Sequence, residues 1–328
     1  MPSTANPPYR MSAAAPDVFL ATTRAVADPL RANILAALKQ DSFGVLELAY
    51  IFDVAQPALS HHLKILSRAG LVASRRDGNG IYYRRAPPRA DCALHDYLCE
   101  LHRTLDAFEP VAAVRQRIDK VHAERAARSR RFFADNAAAF ASQQALIATP
   151  QTYLTVLEEF VTAATCTRKR ALDVGPGDGE TLLLLARHFE RVLGIDNSAA
   201  MLARARQGIA GAAGNIRLRL QAFEALRGVR HDLILFAMVL HHAASPRHFI
   251  AHAADRLAPA GELLVVELTR HAQAWAKDAC GDVWLGFDPD ELDRWAVAAG
   301  LTVQASQYLA QRNGFAIQIR SYQKGAPV

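Results

Sequence analysis

The stretch Ala171-Leu-Asp-Val-Gly-Pro-Gly-Asp-Gly-Glu180 constrains this chain more than any other. A short apolar run through Asp173 and Val174 predicts a buried parallel strand. It breaks into Gly175, Gly177 and Gly179 and resumes as a helical pattern over Thr181-Leu-Leu-Leu-Leu-Ala-Arg187. Strand, glycine turn and helix open a nucleotide-binding βαβ unit, where glycines let the backbone approach a ligand that any Cβ would block. A second strand, Val192-Leu-Gly-Ile195, leads to Asp196, about twenty residues past the first glycine, where an acid can bind ribose hydroxyls.

The glycine spacing selects among nucleotide sites. A dinucleotide fingerprint, G-x-G-x-x-G, would need glycine at position 180, which holds Glu180. The G-x-G-x-G present, with Asp196 and the strands that follow, resembles the first motif of class I methyltransferases. The resemblance covers roughly residues 130 to 322. It implies a Rossmann-like seven-stranded domain that binds S-adenosylmethionine or its product S-adenosylhomocysteine. On it, the ligand would be held by Asp173, Gly175, Pro176, Gly177, Gly179, Asp196, Asn197, Met201, Ala222, Phe223, Glu224, Ala237, Met238 and His241. Phe223 would pack on the adenine, a role that competes with ordinary core packing. Tyr153, in the helical lead-in that commonly covers the cofactor, is a further candidate.

The rest of this half follows the same pattern. Ala199–Arg206 predicts a helix, Ile216–Leu220 a strand, His231–His242 a fourth strand and Gly261–Glu267 a fifth. Pro289 starts a helix through Trp295, and Thr302–Tyr308 with Phe315–Tyr322 predicts a closing hairpin about Arg312-Asn313-Gly314. His241 and His242 fall at a strand end, where such sheets place their sites, and can act as a general base or simply line the pocket. No Asn-Pro-Pro-Tyr motif stands at that strand end; the literal Asn6-Pro-Pro-Tyr9 lies in the N-terminal tail. Cys166 and Cys280 are isolated and read as structural. Methyl transfer can run on proximity and orientation alone, so missing catalytic groups do not exclude an enzyme.

At 328 residues the chain exceeds a typical single domain. Its charge is uneven. Residues 1–90 carry 11 Lys/Arg against 6 Asp/Glu, residues 91–170 carry 11 against 10, and residues 171–328 carry 16 against 16. The excess in the first part points to a polyanionic partner there. Four cysteines do not suggest a disulfide framework. The N-terminus lacks an apolar signal core and no apolar run can span a bilayer, so the expectation is a soluble cytoplasmic protein with no membrane partner.

A Pro/Ala-rich tail (1–16) reads as disordered. Asp28 then caps a helix with Pro29 at its first position, and Val45–Phe52 predicts a second. A third starts at Gln56-Pro57, with Leu59, Leu63 and Leu66 inward and Gln56, Ser60, His61 and Lys64 outward. Those short, donor-rich side chains suit phosphates and base edges in a major groove. Two β-prone runs flank Asp77-Gly-Asn-Gly80, a hairpin signal, with Arg75 and Arg76 on one side and Arg84 and Arg85 on the other. This is a winged helix-turn-helix layout. Residues from about Val26 to Ala86, above all Gln56-Pro-Ala-Leu-Ser-His-His-Leu-Lys-Ile-Leu-Ser-Arg-Ala-Gly-Leu-Val72, resemble the ArsR family of dimeric bacterial repressors. The resemblance implies binding to double-stranded operator DNA as a homodimer, although winged helices also serve as protein-interaction modules. Metal-sensing members carry paired cysteines on the preceding helix, where this chain has Glu47-Leu-Ala-Tyr50.

Between the two halves, residues 91–149 read as mostly helical. Cys92, His95, Cys99 and His102 fall on one helical stripe. The stripe can hold a soft metal across a dimer interface or pack as a dimer seam, and a single helix cannot wrap four tetrahedral ligands. Arg125–Arg131 is a basic run that can reach phosphates or face solvent.

The expected organisation is therefore α/β with an N-terminal winged helix-turn-helix: a tail (1–16), a DNA-binding domain (17–90), a helical dimerisation or linker segment (91–149) and a methyltransferase-like domain (150–328). Repressor-like head and methyltransferase-like body together resemble ArsR-type regulators fused to a methyltransferase domain, a group that includes S-adenosylhomocysteine-responsive repressors of the methionine cycle. Three functions stand open on these residues: a regulator with an adenosyl effector, an active small-molecule methyltransferase with a regulatory head, and a metal-responsive repressor using the Cys/His stripe.

Overall fold

The computed structural model describes residues 15–39, 41–77, 80–88, 91–136, 140–212 and 214–325. Asn6–Tyr9, the tail up to residue 14, and the hairpin residues Gly78 and Asn79 lie outside them. The chain divides into two compact units, Met1–Val121 and His122–Val328.

The first unit begins with α1 (Ala15–Val26) and α2 (Pro29–Ala37). Asp28 caps α2 by accepting from the Arg31 amide at 2.9 Å, with Pro29 filling a position whose N–H would have had no partner. After β1 (Phe43–Gly44) come α3 (Val45–Phe52) and α4 (Gln56–Arg68), then the hairpin β2 (Val72–Asp77) and β3 (Gly80–Arg85). Strand order is β1-β3-β2, all antiparallel. Leu59, Leu63 and Leu66 of α4 are buried with Ile34, Leu35, Leu48 and Ile51, so the predicted inward stripe is the core of the unit. Next are α5 (His95–Asp106) and α6 (Ala112–Asn136), whose residues from His122 on belong to the second unit. Cys92 sits in the turn ahead of α5, where its carbonyl accepts from the His95 amide; the helix starts three residues later than the predicted stripe requires.

The second unit contains α7 (Phe140–Ile147), α8 (Pro150–Ala163), β4 (Arg170–Val174), α9 (Glu180–Ala186), β5 (Arg191–Asp196), α10 (Ala199–Gly208), β6 (Ile216–Leu220) and β7 (His231–Ala237). They are followed by α11 (Pro246–Arg256), β8 (Leu257–Leu268), α12 (Trp275–Cys280), α13 (Pro289–Ala298), β9 (Leu301–Ala310) and β10 (Ala316–Lys324). Seven strands form one sheet in the order β6-β5-β4-β7-β8-β10-β9. Those from β6 to β8 run parallel, and β10 enters antiparallel between β8 and β9. The strand order reverses between β4 and β7, which opens a crevice at their carboxyl ends.

Successive residues of β7 serve opposite faces of the sheet. Leu233 and Leu235 join a cluster with Leu157 and Val161 of α8 and Leu182 and Leu185 of α9. Phe236 meets Phe249 of α11 on the other face, ring centroids 6.0 Å apart. The strand is shorter than its apolar run suggests. It stops at Ala237, Met238 takes a positive φ of 56°, and Leu240–His242 form a single 3-10 turn. Among the described residues no helix is long and apolar enough to cross a membrane.

Candidate functional site

The crevice is built by the turn after β4. Gly175 has φ +67°, and a Cβ there would lie 2.8 Å from Val239 Cγ2. Glycine is required on both counts. Asp178 anchors the turn through a bidentate pair with Arg204 of α10, Nε to Oδ1 at 2.7 Å and Nη2 to Oδ2 at 2.8 Å. Gly179 has another task. At φ +96° it starts α9, and a Cβ would lie 2.8 Å from Ile209 Cγ2 and 3.1 Å from the Ala205 carbonyl, so it lets α9 approach the end of α10.

Two hollows share Gly175, Gly177 and Met238. The first is lined further by Asp196 and Asn197 at the end of β5, Met201, Gln221, Phe223, Glu224, Val239, His242 and Phe249, with Ser129 and Phe133 of α6 closing it. The second takes Pro176, Asp178, Glu180, Ala237 and Tyr153 of α8. The structure thus brings together most of the predicted ligand contacts. Ala222, Gly179, Asp173 and His241 line neither hollow. Ala222 caps the 3-10 turn carrying Phe223. Phe223 is packed against Phe236, Phe249 and His252 at 4.9–5.2 Å, so core neighbours fix the ring that faces the first hollow.

Carboxylates under the crevice are desolvated. Burial raises Asp173 to about 7 against the hydroxyl of Thr181, which donates to Oδ2 at 2.6 Å. Its Oδ1 has no hydrogen-bond partner among the described residues. Burial likewise raises Asp196 to about 6, opposed by the Ser198 and Asn197 amides.

His241 and His242 have opposite environments. His241 is fully buried; its Nδ1 donates to Glu267 Oε1 at 2.5 Å, and Asp282 Oδ1 lies 3.9 Å from its Nε2. Burial alone would lower its pKa, but the two carboxylates outweigh that and hold the imidazolium at about 9. His242 donates from Nδ1 to the Gly281 carbonyl at 3.2 Å and packs edge-on against Phe133 at 4.7 Å. Burial, then the charge on His241, push its pKa well down, so it is a neutral imidazole whose Nε2 has no partner among the described residues. Glu267 and Asp282 were not singled out from sequence. A glutamate within the buried run Leu-Leu-Val-Val-Glu-Leu of β8 was the available signal, since a lone charge there needs a partner.

In the first unit Gln56, Ser60, His61 and Lys64 lie exposed along one side of α4. On the hairpin Arg76 is exposed and Arg75 and Arg84 are half-buried, while Arg85 turns to Asp106 Oδ1 of α5 at 2.7 Å and is committed to that ion pair. Of the Cys/His stripe, Cys99 Sγ is 3.5 Å from His95 Nε2. Burial and Arg85 lower His102 to about 4. Among the described residues the metal-sized group of three ligand side chains is a different one: His241, His242 and Asp282.

A methyltransferase-domain family profile matches residues 105–306, and one for bacterial regulatory proteins of the arsR family matches residues 28–74. The transcriptional repressor SdpR of Bacillus subtilis is 38% identical over 60 residues, covering 18% of this chain and 67% of that protein. The ubiquinone biosynthesis O-methyltransferase of Coxiella burnetii is 28% identical over 148 residues, covering 40% and 63%. The biofilm growth-associated repressor of Agrobacterium fabrum is 39% identical over 67 residues, covering 20% and 57%. This chain therefore spans about 57–67% of the length of these relatives. Among solved structures, the N-methyltransferase NodS from Bradyrhizobium japonicum with S-adenosyl-L-homocysteine aligns at 20% identity and a TM-score of 0.44, over 52% of this chain and 84% of that one.

Proposed function

Given that this chain belongs to the methyltransferase-domain family and carries an arsR-family regulatory head, we propose that it is a homodimeric DNA-binding repressor whose methyltransferase domain takes S-adenosylhomocysteine or S-adenosylmethionine as effector. The same reading assigns it genes of the methionine cycle.

The observation that carries the proposal is the crevice itself. Gly175 and Gly177 leave backbone bare between two hollows. One is edged by Asp196 and closed by Phe223, chemistry that suits a ribose and an adenine face; the other suits an amino-acid tail. A Cβ at Gly175 would be blocked, and the buried Asp173 Oδ1 has no partner among the described residues. These residues fit an adenosyl ligand. S-adenosylmethionine brings an electrophilic sulfonium methyl, and S-adenosylhomocysteine the corresponding thioether. Effector control requires only that the ligand bind one DNA-affinity state better than the other.

Calorimetric titration with each adenosyl ligand, alone and with an operator recovered by in vitro selection, tests this. One ligand should shift operator affinity by about 5–150-fold at fixed salt, the range of ordinary allosteric coupling. If neither ligand changes operator affinity, the effector role is wrong.

His242 supports a second reading, an active small-molecule methyltransferase. Its neutral ring, tautomer fixed by Gly281, stands in the wall of the first hollow, and its buried Nε2, without a hydrogen-bond partner among the described residues, is an acceptor for the proton of a hydroxyl or amine. Turnover of labelled S-adenosylmethionine on a hydroxyl and amine panel, falling about 10²–10⁴-fold in His242→Gln with ligand affinity kept, would establish it.

A further inference from the structure

Toward the amino ends of β4, β5 and β7, away from the crevice, the methyltransferase unit carries a hollow of different chemistry. Arg170 of β4, Arg191 of β5, Arg217 and Arg219 of the edge strand β6, and Arg227 line it, with His231 in its wall. All five arginines are exposed, and Glu190 is the sole carboxylate among its described lining residues. Residues 150–328, which include all five, carry 19 cationic and 18 anionic side chains, so this clustering is local and does not follow from an overall basic composition.

The arrangement is costly by itself. Arg170 and Arg191 are register partners on adjacent strands, like charges placed side by side. Arg217 and Arg219, two apart on β6, project to the same face about 6.6 Å from each other along the strand. The side chains of Arg170, Arg191 and Arg217 take no hydrogen-bond or ion-pair partner among the described residues. His231 is 4% exposed, and its Nδ1 also lacks a partner. Burial, then Arg170, lower it to about 4, leaving a neutral ring in the wall. Every cation here is arginine and none is lysine. The planar guanidinium fork matches phosphate oxygens bidentately, which an ammonium cannot do.

We propose that this arginine hollow binds the phosphate backbone of duplex DNA, giving the methyltransferase unit a DNA contact of its own. The five exposed arginines come from three neighbouring strands, β6, β5 and β4, and from the segment ahead of β7, so the cationic surface runs across strands, which suits a continuous backbone. The assignment rests on the reading of the chain as a DNA-binding protein.

The test uses the full chain and a random-sequence 60-base-pair duplex, with binding followed by fluorescence anisotropy across a salt series. Each phosphate contact contributes about 0.9 to the slope of log K against log salt. The triple variant Arg170→Gln/Arg217→Gln/Arg219→Gln should lose about 2–3 from that slope, while Arg217→Lys/Arg219→Lys, which keeps the charge, should lose less than 1. Unchanged thermal unfolding and unchanged adenosyl-ligand affinity show that the triple variant is folded. A slope equal to wild type overturns the proposal. So does a variant that loses inorganic tripolyphosphate binding while keeping its DNA slope, since the hollow would then be a small-anion site. The head is checked separately with Lys64→Gln. A slope lowered there and not in the triple variant defeats this inference alone, whereas a wild-type chain without salt-dependent DNA binding defeats the DNA-binding reading as well.

Discussion

Replacing Glu267 by Gln should change how the methyltransferase unit responds to pH, by an amount the structure sets. In the wild type Glu267 accepts from His241 Nδ1 at 2.5 Å and from the Leu268 amide at 2.7 Å, all fully buried. His241 is held at about 9 against 6.5 for the free side chain. A raised pKa means the folded state binds the proton more tightly. The pair therefore stabilises fully below pH ~6.5, and its contribution is lost as pH rises through ~9. At 1.36 kcal/mol per unit this is about 3 kcal/mol, or roughly 6–12 °C in Tm for a unit of this size. In Glu267→Gln the burial penalty, the largest influence on His241, outweighs the remaining pull of Asp282, and the ring goes neutral. Scanning calorimetry of both proteins at pH 6 and pH 9.5 should show a gap of about 3 kcal/mol or more at the lower pH that closes at the higher. Comparing the two proteins cancels other groups titrating in the window, Asp173 among them. A gap equal at both pH values would refute the ion-pair argument.

Three further outcomes follow. Gly175→Ala forces alanine into φ +67° at about 1–2 kcal/mol and sets its Cβ against Val239. Adenosyl-ligand affinity by calorimetry should fall at least about tenfold, with partial recovery in Gly175→Ala/Val239→Ala. Arg320, buried, bonds Asp293 and Tyr322; Arg320→Met leaves the part-exposed Asp293 carboxylate with the Tyr322 hydroxyl as donor and should cost about 2 kcal/mol in urea unfolding. Lys64→Gln on the exposed side of α4 should lower the salt slope of DNA binding by about 0.9 without changing adenosyl-ligand affinity.

What could be read from the sequence was whatever local rules determine. Asp28-Pro29 marks a helix start, Leu59, Leu63 and Leu66 mark a buried stripe, and Val174-Gly175 marks the end of a strand, each through neighbours a few residues away. Other features are set by distant partners. The apolar run after His231 continues through Leu240, yet β7 ends at Ala237, where Met238 bonds Val266 of β8 and turns at positive φ. Gly179 stands against Ala205 of α10 and Ile209 just beyond it, which its place in a glycine motif does not reveal. Arg85 pairs with Asp106 of α5, twenty-one residues on, which no local pattern marks. The arginine hollow gathers side chains from four separate stretches, which only the sheet brings together.

The adjacent histidines carry this furthest, and they bear on which function the crevice serves. Sequence gives both residues the same chemistry. In the fold, Glu267 and Asp282 make His241 a fixed cation, and that cation, after burial, keeps His242 neutral. A ring held far below neutral pH is always free to accept a proton but has little appetite for one, whereas efficient general bases sit near the working pH. The arrangement therefore favours a crevice that is occupied over one that turns substrate over. It also ties the two readings to one substitution. In Glu267→Gln the charge beside His242 disappears and its basicity rises. If methyl transfer is the function, turnover per bound ligand should increase in that variant around neutral pH; if effector binding is the function, operator control persists and no turnover emerges.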